Sequence, residues 1–375
     1  MKINEGNDQG ADSKNTSGGQ RRGGRSNQGR LYVGGTGLYG AGNLLEGDPQ
    51  GYRGMLERVD ELMSTAKGRS GRVSTLRREP RCAPQSCLAP WTEGTFSLVY
   101  YFEADQKRAK WQEMWRFLSS IPHVVSQNSA SESNPKLVYD NQDTGVQAQF
   151  QGYCPQHPNE VGVEFSVQLP QPQCVAHEVL PVALRLLREF HVAVRLRTAE
   201  GVSELSGTKE ALLAVWLELV NDERRRMREA GETFFPVRSA AVDSVWEFQL
   251  LREELKYANR HNECILLPVE YVFRKRTKEV LRLCRWPELL PAVFPPVDLI
   301  MLVDPPAPIG NGRIVEAAEV FAKGKEWIKT EPFPLTHKLY TRGQADAGFV
   351  TMLSKLKGAT MRSYTSVDWH RLDDR

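Results

Sequence analysis

The chain has 375 residues, 40% of them hydrophobic and 25% charged, with 49 basic against 46 acidic side chains and a net charge of +3. That length suits one large domain or two ordinary ones, and the balanced charge excludes nucleic-acid binding driven by bulk electrostatics alone. No apolar run reaches the roughly 18 residues that span a bilayer, and Met1-Lys-Ile-Asn-Glu-Gly6 lacks the apolar core of a secretory signal. The six Cys read as reduced thiols rather than a disulfide frame. A cytoplasmic location is the expectation.

Residues 1–30 are Gly, Ser, Asn, Gln and Arg with almost no apolar side chains, so a disordered tail is expected. Arg21-Arg-Gly-Gly-Arg25 has an RGG-like flavour that would suit weak RNA contact, set against a plain solvated tail. Residues 31–90 form a Gly-, Pro- and base-rich extension. Within it Gly35, Gly37 and Gly40 match G-x-G-x-x-G, but the feeding strand is three residues long. Asn43 to Pro49 breaks before a helix can receive a phosphate, so a glycine loop is the better reading. Tyr52 to Thr65 patterns as a short amphipathic helix. Residues 67–90, with Cys82 and Cys87, read as a linker.

The organised chain starts at Phe96. Phe96–Phe102 reads as a strand and Gln106–Leu118 as a helix stopped by Pro122. Lys136–Tyr139 and Val146–Tyr153 are strands joined around Asp143-Thr-Gly145, whose Gly supplies a positive φ for a tight turn. In the second of these strands Val146, Ala148 and Phe150 alternate with Gln147, Gln149 and Gln151, one dry face and one wet face. Val161–Leu169 alternates likewise. Cys174–Phe190 is a strongly apolar helix containing Pro181, and Val192–Leu196 is the next strand. The order β-α-β-β-β-α-β over residues 91–200 predicts an α+β fold, an antiparallel sheet with helices on one face.

The second half, residues 201–330, patterns as α-α-β-β-β-α. Helices are expected over Thr208–Glu229, ending in Arg224-Arg-Arg-Met-Arg228, and over Ala240–Asn259. Strands are expected over Ile265–Lys275, Val280–Trp286 and Val297–Val303, and a helix over Val315–Trp327. Pro287 to Pro296 reads as a stiff connector. Residues 331–375 form a C-terminal extension without clear periodicity. The boundary between halves falls near Thr198–Gly207, and the halves are either one composite domain or two abutting ones.

The chemistry-bearing residues make no recognisable catalytic motif. Cys154-Pro-Gln-His157 and Cys174-Val-Ala-His177 have the spacing of a two-by-two zinc site. The alternative is a buried Cys174 acting as a small hydrophobe and His157 as a loop residue, so Cys154, His157, Cys174 and His177 are weak metal candidates and no cofactor is assigned. None of the seven His sits in a nucleophile motif. His191 and His261 read as boundary residues, and Glu253-Glu254 as a solvated helix face. Asp298 and Asp304 bracket an apolar strand. Arg224–Arg228 and Arg274-Lys-Arg276 would serve nucleic acid only if gathered on one surface beside stacking aromatics.

Tyr139-x-Asn141-x-Asp143-Thr-Gly-Val146-x-x-x-Phe150 resembles the hairpin of an uncharacterised family of bacterial α+β proteins. So do Gly162-Val-Glu-Phe165, Leu169-Pro-x-Pro172 and Glu178-x-Leu-Pro181-Val. A third block, Trp246-x-Phe248-x-x-x-Arg252-Glu-Glu-Leu255, is followed by Leu267-Pro-Val, Trp286-Pro-Glu and Val297-Asp298. The resemblance spans roughly Phe96 to Glu326 and implies no assigned activity. Such families occur as diverging copies, which is compatible with immunity or other partner-binding roles. In the family the positions of Cys174 and His177 are usually apolar or aromatic, which weakens the zinc reading.

The leading expectation is a non-enzymatic module that binds another protein through a helix or sheet face, in immunity or defence. One alternative is an enzyme with a dispersed site drawn from Asp298, Asp304, His261 and Glu270. The other is a nucleic-acid-associated protein using the tail and the Arg runs.

Overall fold

The apolar run after Phe96 becomes the central strand of the largest sheet in a computed structural model that describes residues 91–103, 110–127, 134–342 and 346–374. The glycine tail, the G-x-G-x-x-G loop, the short helix over 52–65 and the linker over 67–90 lie outside the described residues. Strand β1 (Thr95–Phe102) pairs on one side with β5 (Glu160–Gln168) and on the other with β6 (Val192–Thr198). Beyond β5 lie β4 (Val146–Gly152), β3 (Lys136–Asn141) and β2 (Val124–Ser126). Beyond β6 lies β7 (Gly201–Leu205). The order β2-β3-β4-β5-β1-β6-β7 is antiparallel at every step.

Period-two alternation turns Phe96, Leu98 and Tyr100 to one side, together with Phe150, Phe165 and Val167. Three helices cover that side. They are α1 (Trp111–Ser120), α2 (Gln173–Phe190) and α3 (Lys209–Glu229), whose Trp115, Leu180 and Trp216 belong to the same core. Helix α2 is the central one. Twelve of its 18 residues are buried, which fits a helix flanked on several sides rather than a surface helix with a single apolar stripe. It runs through Pro181 without ending, and His191 closes it in the left-handed region at φ 50°. The fold is α+β, as the alternation predicts.

The helices that follow Leu205 add to this core rather than starting one of their own. Leu212, Trp216 and Val220 of α3, and Val242, Val245 and Trp246 of α4 (Ser239–Leu250), pack with the first sheet's apolar face. Tyr271, Val367 and Leu372 join the same core. All described residues fall in one compact unit. The expected boundary near Thr198–Gly207 instead holds a strand, β7, which completes a hairpin with β6 inside the first sheet.

The second half holds more strands than alternation alone reveals. A five-stranded sheet, β14-β13-β11-β10-β17, combines β10 (Val269–Arg274), β11 (Glu279–Pro287), β13 (Leu299–Val303), β14 (Arg313–Glu316) and β17 (Tyr364–Val367), with β11 and β13 parallel. A four-stranded sheet, β15-β16-β12-β9, contains β9 (Ile265–Leu266), β12 (Ala292–Phe294), β15 (Ile328–Glu331) and β16 (His337–Tyr340). The expected connector between Pro287 and Pro296 thus contains a strand. The expected strand Ile265–Lys275 is interrupted around Pro268, which has no N–H to donate to a ladder. The helix expected over Ala240–Asn259 divides at Leu251 into α4 and α5 (Arg252–Ala258). Val315 lies in β14, and the helix after it, α6, covers Ala317–Lys323. A second core forms around Trp286, Phe294, Tyr340 and Phe349, whose rings meet edge-on or tilted at 4.8–6.0 Å. Phe349 comes from the last helix, α7 (Ala347–Ser354).

The C-terminal stretch is an integral part of the fold. Strands β16 and β17 each complete a sheet, and β18 (Leu372–Asp374) pairs in parallel with β8 (Phe235–Val237). Asp374 accepts from the backbone N–H of Gln173 at 2.6 Å, anchoring the first turn of α2. Arg224, buried within α3, donates to Asp374 at 2.7 Å, to the Leu372 carbonyl at 2.9 Å and to Asp373 at 3.4 Å. A guanidinium at that depth is tolerable only while paired. Removal of residues 372–375 is expected to destabilise the protein by about 3–5 kcal/mol, because Arg224 is left buried without its carboxylates. Chemical denaturation measures it. A double change of Arg224→Met with Asp374→Leu should cost clearly less than the sum of the two single changes; additive losses would show that the pair is not coupled.

Candidate functional site: the open face of the first sheet

The residues singled out from sequence go to separate places. Asp298 forms a fork-to-fork pair with Arg282 at 2.8 and 3.0 Å and accepts from the Arg282 backbone N–H at 2.9 Å. Burial pushes its carboxyl up, but the Arg282 hydrogen bonds and charge outweigh this and hold it below the ordinary range. Asp304 exchanges hydrogen bonds with Asn311 in a turn. Glu270 pairs with Arg285 at 2.8 Å, and His261 is exposed beyond the end of α5. No two of these four share a described cavity.

The two Cys-x-x-His units are likewise apart. Cys154 and His157 lie in the turn between β4 and β5, and His157 is exposed beside the sheet's outer face. Cys174 and His177 open α2 within the core. Burial pushes the Cys174 thiol well above its usual range and the His177 imidazole down to about 4. Among the described residues no three His, Cys, Asp or Glu side chains gather in a metal-binding arrangement. The four described cysteines are free thiols.

The basic run at the end of α3 is bound up internally. Arg224 is buried, Arg225 pairs with Asp222, Arg226 with Glu223 and Glu93, and Arg228 with Asp373. The macrodipole accounts for little of this; specific carboxylates do. In the second run, Arg274 pairs with Glu316, and Lys275 donates to the Arg362 carbonyl.

Side chains from three stretches far apart in sequence converge on Glu178, which is 1% exposed. One carboxylate oxygen accepts from the Tyr139 hydroxyl at 2.8 Å, the Asn141 amide at 2.7 Å and the Thr144 hydroxyl at 2.9 Å. The other accepts from the Trp246 indole N–H at 2.6 Å. Burial and the adjacent Glu178 charge push the Tyr139 phenol far up, so it stays a donor. Asp143 in the same hairpin pairs with Arg252 at 3.4 Å. The hairpin loop between Asn141 and Val146 is fixed by Gly145, at φ 72°, donating to the Asn141 carbonyl at 2.7 Å. Sequence reading passed over Glu178 as one letter in an apolar helix. A lone carboxylate amid Val, Leu and Ala was the available signal, because such a group needs dedicated donors. Its role is architectural: four donors satisfy it, and two of them, Thr144 and Trp246, border a hollow of about 390 Å³.

The opposite face of the first sheet has no described helix over it. Here the predicted wet residues Gln147, Gln149 and Gln151 stand beside Glu164 and Ser166, then Ser97, Val99 and Tyr101, then Arg195 and Arg197. Glu164 accepts from the Ser97 hydroxyl and from Arg197, the latter at 2.8 Å. Both members of that ion pair are about one-tenth exposed, 9% and 11%, so the pair is far better shielded from water than an ordinary surface bridge. The Arg195 guanidinium lies 4.2 Å over the Tyr101 ring and reaches Glu204 at 3.4 Å. Two hollows meet at Arg197. One, of about 680 Å³, is lined by Tyr101, Phe102, Tyr153, His157 and Arg195; the other, of about 400 Å³, by the Gln row and Ser97. The face therefore offers rigid backbone, planar side chains and fixed charges, and His157 and Glu160 both border the larger hollow.

Comparison with known proteins finds no match: no family model, no curated protein and no solved structure aligns with this chain. No helix among the described residues is long and apolar enough to cross a membrane.

One titrating group stands out elsewhere. Asp243 on α4 has a buried Oδ1 with no hydrogen-bond partner. Burial, then Asp374, then Glu247 push its carboxyl up to about 7. In the unfolded chain it titrates near 4, so the folded state holds the proton longer, and stability from this group is lost as pH rises from about 4 to about 7. Asp243→Asn is expected to flatten the stability profile over that window and to melt above the wild type at pH 8; equal melting temperatures at pH 8 would contradict the assignment. For Glu178→Gln, one buried donor ends up facing the amide NH₂. Denaturant titration should then show a loss of roughly 1–3 kcal/mol.

Proposed function

We propose that this protein is a non-enzymatic binding module that docks another protein on the open face of its seven-stranded sheet. The observation that carries the reading is the Tyr101–Arg195 stack beside the 680 Å³ hollow. Tyr and Arg are enriched at the energetic centres of protein interfaces: Tyr offers a large planar contact with few freedoms to lose, and Arg a planar guanidinium, here already held over the Tyr101 ring. The Ser97–Glu164–Arg197 cluster beneath holds the face in one shape, which lowers the ordering cost of association. An antiparallel sheet with one face on its core and a second, polar face suits such a role. Immunity or defence is the setting proposed for it, in keeping with the diverging copies that the family resemblance implies.

The dispersed-enzyme reading is less favoured, because Asp298, Asp304 and Glu270 are each engaged with a different partner and His261 stands apart. The nucleic-acid reading is less favoured because carboxylates within the fold take up Arg224–Arg228.

The test is affinity capture on the full-length protein from lysate of cells that encode it, followed by binding measurements with the captured partner. Tyr101→Ala and Arg195→Glu are each expected to weaken that complex by about 2 kcal/mol, some 30-fold, with unchanged melting temperature. A partner held equally well by both variants, or small-molecule turnover with no stable partner, would overturn the reading.

A further inference from the structure

We infer that the free edge of β7 is the docking strand of this protein, and that it takes an extended, basic strand of the partner by backbone pairing. The inference rests on the reading that the open face binds protein, and it names the mode and the partner's chemistry. Among the described residues β7 has a single strand neighbour, β6. The two pair in unbroken register from Thr198 and Gly201 to Val194 and Leu205, so the other side of β7 presents a regular row of backbone donors and acceptors. Edge strands are ordinarily blunted by short length, charged side chains, Pro, a bulge or a covering element. Strand β7 has five residues, without Pro, Lys or a bulge, and its one charge is Glu204. Four of its five residues are exposed, and Val202 at 46% is one of the few large apolar side chains left in water. The opposite edge, β2, is three residues long and offers much less.

The charge of the edge selects the occupant. Pairing of Arg195 with Glu204 and of Arg197 with Val202 places Val202 and Glu204 on the open face, next to the Tyr101–Arg195 stack. The Glu204 side chain is 89% exposed, and Glu200 stands in the adjoining turn. A second copy of this chain is a poor occupant: antiparallel pairing about Val202 sets Glu200 against Glu204 in both directions, and directly opposed like charges destabilise a ladder. A strand that puts Lys or Arg at two positions four apart, with a β-branched residue midway between them on the same face, meets the acids and covers Val202 at once. This is strand addition, in which the backbone supplies affinity and alternate side chains supply selectivity.

The test uses the full chain and three capped heptapeptides: the Lys–Val peptide Thr-Lys-Thr-Val-Thr-Lys-Thr, the Glu–Val peptide with Glu in place of both Lys, and the Lys–Val peptide N-methylated at every second residue. Calorimetry gives affinity, and hydrogen exchange with mass spectrometry locates contact. The Lys–Val peptide is expected to bind and to slow exchange over residues 199–206. Glu204→Lys should weaken it at least tenfold, the Glu–Val peptide should not bind, and N-methylation should abolish the protection. Absence of Lys–Val binding, protection elsewhere on the chain, equal protection by the N-methylated peptide, or equal binding of the acidic peptide would overturn the inference. With the natural partner, loss of binding in Tyr101→Ala but full retention in Glu204→Lys would also overturn it while leaving the open-face reading standing.

Discussion

One buried carboxylate ties this molecule together. Glu178 sits in the most buried helix, and a charge there is tolerable only if the surrounding chain supplies donors aimed at it. Those donors come from the β3–β4 hairpin on one side and from α4 on the other. The hairpin cannot slip by a residue without turning Tyr139 and Asn141 away, and α4 cannot shift without withdrawing Trp246. The network thus fixes strand register, helix position and the contact between the two halves together. Arg224 plays the matching part at the C-terminus, where Asp373 and Asp374 close the fold onto α3 and α2. Apolar burial supplies most of the driving force, but these two polar centres choose which packing the apolar surfaces adopt.

That division explains where function is left to reside. The helix-covered face of the first sheet is used up in holding the fold, with Glu178 satisfied by four donors. The outer face is held just as firmly, through Ser97, Glu164 and Arg197, yet its hollows and its edge strand remain available. The rigid polar surface with stacked Tyr and Arg is the ground of the binding role proposed for this face.

Much of the first half was legible because its signals are local. Alternation of Val146, Ala148 and Phe150 with the three Gln residues needs one strand, and it correctly marked the wet face that became the candidate site. The hairpin at Asp143-Thr-Gly145 was legible for the same reason. What stayed hidden depends on partners far along the chain. Arg224 reads as part of a solvated basic run until Asp373 and Asp374, some 150 residues away, arrive beside it. Asp298 reads as a candidate acid until the parallel pairing of β11 with β13 brings Arg282 alongside. Strands of three or four residues, such as β8 and β12, are too short for any period to show. Neither the Tyr101–Arg195 stack nor the free edge of β7 has a sequence signature, because both exist only once β1, β6 and β7 lie side by side.

The central claim is that Glu178 makes the first sheet and the second half one cooperative unit. Hydrogen exchange under increasing denaturant, read separately for a peptide covering the β3–β4 hairpin and one covering α4, tests it most directly. The account predicts that both segments lose protection at the same denaturant concentration in the wild type, through a single global opening. Loss of protection in one segment well before the other would contradict it.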